Sequence, residues 1–96
     1  MPTYMALPRF LREFKKLSDT QQQEFLKAVG DFREDLAAGK GFRPGLRVKK
    51  MSGHNVWEMA WAPDGRATFS YGDPVRDGHP HIDWRRIGGH DIFDRP

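Results

Sequence analysis

Val56–Tyr71 reads V-W-E-M-A-W-A-P-D-G-R-A-T-F-S-Y, and its alternation decides the fold. Side chains in two short runs exchange character every second residue, which is the period of a strand. Pro63-Asp64-Gly65 lies between the runs and supplies turn chemistry. Proline fixes φ, aspartate tolerates the second turn position, and glycine accepts a positive φ. A three-residue loop there places Trp57, Met59 and Trp61 opposite Tyr71, Phe69 and Ala67, all on one face. The other face then holds Val56, Glu58, Ala60, Ala62, Arg66, Thr68 and Ser70, with Glu58 opposite Ser70. One face is predicted to be core. The other is predicted to be an exposed polar floor that carries a carboxylate and a guanidinium.

Working outward towards the N-terminus, Leu46–Met51 alternates again, with Leu46 and Val48 to one side and Arg47 and Lys49 to the other. Gly41–Gly45 precedes it as a loop. Ser18-Asp19-Thr20-Gln21 has the form of a capping box and predicts a helix start. Phe25, Val29, Phe32 and Leu36 give that helix an apolar stripe, and Gly39 and Gly41 end it. Gly30 inside it costs about 1 kcal/mol relative to alanine, a cost that close packing against a first helix would explain. That first helix enters at Leu7-Pro8 and carries Phe10, Leu11, Phe14 and Leu17 on one face. The short link at Ser18 makes the pair an antiparallel hairpin. Thr3–Ala6 is a short candidate strand ahead of it.

Working outward towards the C-terminus, Gly72–Pro80 is a polar connection. His81–Ile87 is a last strand, with Ile82 and Trp84 towards the core and Asp83 and Arg85 away. Arg86 breaks that alternation and predicts a bulge or a strand end nearby. Gly88-Gly89-His90 reads as a turn and Asp91–Pro96 as a tail. The order predicts an α+β fold: a helical hairpin packed on one face of a small antiparallel β-sheet.

The chain has 96 residues, no cysteine and a formal net charge of +3. That length predicts a single domain over 1–96. The absence of cysteine removes disulfides and thiolate metal sites and fits a cytoplasmic protein. No apolar run reaches membrane-spanning length and no secretory leader is visible. Lys40, Arg43, Arg47, Lys49 and Lys50 follow one another without an acid, and the first helix adds Arg9, Arg12, Lys15 and Lys16. Clustered base of this kind suits a polyanion or an acidic protein partner. The H-x-H pair of His79 and His81 lacks two further ligands at compatible spacing, and no cofactor is expected.

Glu58 and Arg66 on one sheet face have the chemistry for metal-independent RNA cleavage. A 2′-hydroxyl attacking the adjacent phosphate needs a base, an acid and cations on the phosphorane. Glu58 would be the base and Arg66 the cation. Arg47, Lys49 and Arg85, predicted on the same face, add positive field. His90, tunable near neutral pH, would be the acid. Each also has a plainer reading: Glu58 as a cross-strand ion pair, Arg66 as a solvated charge after a turn, His90 as a packing or capping residue.

The ordered set L-R-V-K-K (Leu46–Lys50), V-W-E-M (Val56–Met59), D-G-R-A-T-F-S-Y (Asp64–Tyr71) and R-R-I-G-G-H-D-I-F (Arg85–Phe93) resembles the RelE/ParE superfamily of bacterial toxins. The resemblance covers nearly the whole chain. It implies a microbial ribonuclease-like fold, cleavage of mRNA on the ribosome, and a cognate antitoxin protein that wraps the toxin. It implies for Arg66 a contact with the scissile phosphate, for His90 an acid–base role, and for Phe93 a place near the substrate where only stacking is open to it. Some family nucleases carry lysines where this chain has Glu58 and Ala60, so a lysine-based mechanism does not transfer. Other members poison DNA gyrase or have no known activity. A catalytically silent RNA-binding or protein-binding role stands beside the nuclease reading.

Overall fold

The computed structural model describes residues 3–76 and 78–96, the side chains of His90 and Asp94 excepted. The chain runs β1 (Thr3–Ala6), α1 (Pro8–Lys15), α2 (Asp19–Ala38), a 3₁₀ turn (Pro44–Leu46), β2 (Lys49–Lys50), β3 (Trp57–Ala62), β4 (Gly65–Gly72), β5 (His81–Gly88) and a second 3₁₀ helix (His90–Asp94). The five strands form one sheet in the order β1-β5-β4-β3-β2. From β2 to β5 it is an antiparallel meander, while β1 joins β5 in parallel.

The helical hairpin forms as its caps dictate. The Gln21 N–H donates to Ser18 Oγ at 3.1 Å and the Ser18 N–H to Gln21 Oε1 at 2.9 Å, so the capping box is complete. Gly39 closes α2 in the left-handed conformation at φ 69°. Phe25, Ala28 and Phe32 of α2 and Phe10 of α1 are buried against Met59, Phe69, Ile82, Trp84 and Ile87 of the sheet. Phe32 meets the Phe69 ring edge-on at 5.0 Å and Phe25 meets Trp84 at 5.5 Å. Leu11, assigned to the apolar stripe of α1, stays 49 % exposed. Gly30 differs from expectation too: a Cβ there would meet nothing within 4 Å, so helix packing does not explain it.

The hairpin keeps the predicted faces and shifts its register. Trp57 pairs with Phe69, Glu58 with Thr68, Met59 with Ala67 and Ala60 with Arg66. The pairing then slips to Ala62 with Gly65, leaving Trp61 as a bulge over a two-residue loop. A shift of two residues preserves which side each residue faces, and for that reason the core face survives. Gly65 serves a different end from the one expected. It is not among the positive-φ glycines; instead a Cβ on it would fall 2.6 Å from the Trp61 ring carbons.

Leu46–Met51 is not the strand expected. Pro44–Leu46 turns as a 3₁₀ helix, Arg47 adopts φ 50°, and only Lys49 and Lys50 pair with β3. In β5 the predicted irregularity is present. Thr68 pairs with Arg86 and Phe69 with Trp84, so Arg85 is the extra residue. The polar floor is covered rather than exposed, which corrects the expectation from alternation. Arg66 is 7 % and Thr68 0 % exposed. The segment after β5 folds back over the floor: Ile92 is 1 % exposed, and the Pro96 carbonyl accepts from Thr68 Oγ1 and Arg85 Nε, both at 3.2 Å.

Candidate functional site

The directly paired row Lys49–Glu58–Thr68–Arg86 crosses β2, β3, β4 and β5, and paired residues share a face. At its β2 end lies a cleft of about 680 Å³ lined by Arg47, Val48, Lys49, Glu58, Arg66 and Phe93. The structure thus brings together five residues singled out from the sequence: Glu58 from β3, Arg66 from β4, Arg47 and Lys49 from the β2 arm, and Phe93 from the second 3₁₀ helix. Arg85 is not among them and lies in a separate cleft beside the chain's last residues. His90 opens the second 3₁₀ helix, and its side chain lies outside the described residues.

Glu58 is largely covered, its side chain 12 % exposed, and its carboxylate sits 3.8 Å from the Lys49 ammonium. Its ion-pair partner is therefore the lysine across the strand rather than Arg66, and it lies opposite Thr68 rather than Ser70. Arg66 sends Nη1 to the carbonyls of Ala62, Pro63 and Gly65 at 3.0, 3.3 and 2.8 Å. Its Nε and Nη2 make no hydrogen bond among the described residues. The guanidinium is thus fixed by the hairpin loop and still has donors for a bound anion.

Arg47 reaches the cleft from a backbone conformation that costs a non-glycine residue about 1–3 kcal/mol. The Arg47 N–H bonds the Pro44 carbonyl at 3.0 Å. Ahead of it, Arg43 ties the loop to α2. Its Nε and Nη2 reach the two Asp35 carboxylate oxygens at 2.9 Å each, its backbone N–H donates to Oδ2 at 2.9 Å, and Nη1 meets Asp31 at 3.1 Å. Hydrogen bonding to Arg43 holds the Asp35 carboxyl down at about 2. Sequence reasoning did not anticipate this anchor. Its signal was there: Asp31, Glu34 and Asp35 fall on one helix face, a few residues before a lone arginine in the loop.

His81 sets Nδ1 2.6 Å from Thr3 Oγ1, across the β1–β5 seam, and Nε2 3.1 Å from Asp83 Oδ1 on its own strand. Among the described residues no group of three or more metal-ligating side chains gathers. The helices among them are too short or too polar to cross a membrane.

The cleft sets three cationic side chains around one covered carboxylate and one aromatic ring. Such a set can bind a phosphodiester, take a proton from a hydroxyl held beside it, and stabilise added negative charge on phosphorus.

No protein-family model matches the chain, and no curated protein does. Solved structures do match. A chain of the RelB–RelE antitoxin–toxin complex from Methanococcus jannaschii is 17 % identical, with TM-score 0.61, and the match covers 96 % of this chain and 99 % of that one. The metal-bound toxin from Helicobacter pylori is 15 % identical, with TM-score 0.64, over 95 % and 97 %. The YoeB/ParE toxin from Agrobacterium tumefaciens is 9 % identical, with TM-score 0.64, over 92 % and 98 %. Two helices on a five-stranded, mostly antiparallel sheet, in this order and over this coverage, are the fold of the RelE/ParE toxins of toxin–antitoxin systems.

Proposed function

We propose that this chain is the toxin of a type II toxin–antitoxin pair and a metal-independent mRNA endoribonuclease that acts on the ribosome and blocks translation. One observation carries the reading: Glu58, Arg66, Arg47, Lys49 and Phe93, from four separate segments, line a single cleft. Glu58 accepts the proton of the attacking 2′-hydroxyl. Arg66, braced by the loop carbonyls, neutralises the phosphorane through its remaining donors. Arg47 and Lys49 hold the neighbouring phosphates, and Phe93 stacks on a base. His90 protonates the leaving 5′ oxygen. A cognate antitoxin is the protein partner, and cytoplasmic ribosomes are the site of action.

The test is growth arrest on induction, paired with cleavage of a ribosome-bound message. Glu58→Gln is isosteric and should lose a factor of about 10²–10⁴ in cleavage rate. Arg66→Ala should lose about 10²–10³, with Arg66→Lys recovering little of it. Arg66→Ala also strips three carbonyls of their donor, so its activity is read against its own denaturation midpoint. Full toxicity in folded Glu58→Gln and Arg66→Lys variants rejects the nuclease mechanism. A second reading, a gyrase inhibitor or a catalytically silent binding member of this fold, is favoured by the occupancy of Glu58 by Lys49 and of Arg66 Nη1 by the loop. Toxicity with DNA damage and intact messages selects it.

A further inference from the structure

The cross-strand row that begins at Lys49 and Glu58 ends at Arg86, beside a second cleft of about 530 Å³. Its charged lining is one-sided: Arg9 of α1, His54 of the turn before β3, Arg85 and Arg86 of β5, and Arg95, without any acid. The bulge at Arg85 makes this possible, because the extra residue lets two successive arginines reach the same cleft. Arg86 is neutralised by Glu13, which its Nε meets at 3.2 Å, has Asp91 within electrostatic reach and donates Nη1 to the Arg95 carbonyl, while Arg85 spends only Nε, on the Pro96 carbonyl. Arg9, Arg95 and His54 make no side-chain hydrogen bond or ion pair among the described residues. The first turn of α1 holds no acid and its N-cap no side-chain bond, so the helix end adds positive potential. Like charges gathered this way repel one another until an anion joins them.

We propose that this arginine cleft binds a phosphate of the same RNA strand that enters the Glu58–Arg66 cleft, a few nucleotides from the scissile bond. The proposal rests on the nuclease reading for the identity of the strand. Glu58 and Arg86 stand two strand spacings apart, about 10 Å. Along a stacked single strand that is about three phosphates. Between the clefts the fold-back of Ile92–Pro96 covers Thr68, which is 0 % exposed, so a strand that reaches both crosses the outer side of that segment. An acidic protein segment would meet the same charges, but the short span between the clefts favours a strand that occupies both.

The experiment titrates intact protein with a six-nucleotide 2′-O-methyl RNA, which lacks the attacking hydroxyl, across a range of salt. Wild type is compared with Arg9→Ala/Arg95→Ala, both exposed positions, and with Lys49→Ala in the first cleft. The double variant should bind about tenfold more weakly, and its salt slope should fall by about 0.7, the value for one phosphate no longer neutralised. A dinucleotide, too short to reach both clefts, should bind wild type far more weakly than the six-nucleotide RNA does. On a cleavable message KM should rise about tenfold while kcat holds. Equal affinity of wild type and double variant for the six-nucleotide RNA overturns the proposal. So does a polyglutamate peptide whose binding needs Arg9 and Arg95 while RNA binding does not; that outcome assigns the cleft to an acidic protein partner. If wild type binds the RNA with the full slope and cleaves no message, the second cleft stands and the catalytic reading falls.

Discussion

Arg66 donates through one nitrogen to three carbonyls of the hairpin loop and lines the cleft with the same guanidinium. A side chain held this way loses little further freedom when it meets a phosphate, because its entropy is already spent in folding. Its neighbour Gly65 explains how the loop stays tight enough to offer those carbonyls. The Trp61 ring lies where a Cβ would go, at 2.6 Å. Trp61 is 8 % exposed and packs edge-on against Phe25, so the ring has little room to retreat. Gly65→Ala should therefore cost about 1–3 kcal/mol, the usual penalty of overpacking, read as a lower denaturant midpoint. An unchanged midpoint would mean the ring moves freely. The sequence marked Gly65 as special but attached the wrong reason to it. A turn tripeptide announces loose φ angles, whereas contact with a ring four residues back depends on a bulge that no local pattern records.

At the scale of elements, α2 is held by its caps and by what it touches, and both can be probed. Gly30 lies in the helix interior with open space around it. Gly30→Ala should stabilise the protein by about 0.5–1 kcal/mol, seen as a raised midpoint. A lowered midpoint would reveal a packing demand there after all. The Arg43–Asp35 link between α2 and the β2 arm has a pH signature. Asp35 titrates at about 2 in the fold, against 3.8 for a free aspartate. A carboxyl lowered on folding contributes in full above its unfolded value, and the contribution fades as pH drops through the folded one. The stability gap between wild type and Asp35→Asn should thus be constant above about pH 4 and close towards pH 2. A gap that persists at pH 2 would assign the effect to something other than the charge. Elements were legible wherever a period or a cap announced them: the helical hairpin, the two faces of β3 and β4, and the irregularity at Arg86. The β2 arm misled because Leu46–Met51 alternates like a strand, while Pro44 and the Arg43 anchor draw Leu46 into a 3₁₀ helix and Arg47 leaves it at φ 50°. The floor misled because its polar residues look like surface, and only the fold-back of Ile92–Pro96 covers them.

At the scale of the whole molecule, the two clefts lie on a sheet that joins its first strand, β1, to its last, β5. Lys49, Glu58 and Arg66 lie within a single stretch, and alternation alone put the last two on one side. Phe93 joins them only through the return of the chain after β5, and Arg85 leaves them through a bulge in β5; neither path is written in a local period. The parallel seam between β1 and β5 is the longest of these closures. Its Thr3–His81 contact joins residues 78 apart, and at synthesis rates of roughly 5–20 residues per second the second partner emerges about 4–16 s after the first. Through that interval β1 has no neighbour, and α1, which packs on β5, has no bed. The hairpin of β3 and β4 can pair, but its open edge waits for the same strand. Both clefts are therefore late products of a growing polypeptide. A nascent chain stopped short of His81 carries most of the cleft charges but lacks Phe93, Arg85, Arg86 and Arg95, which complete the two clefts.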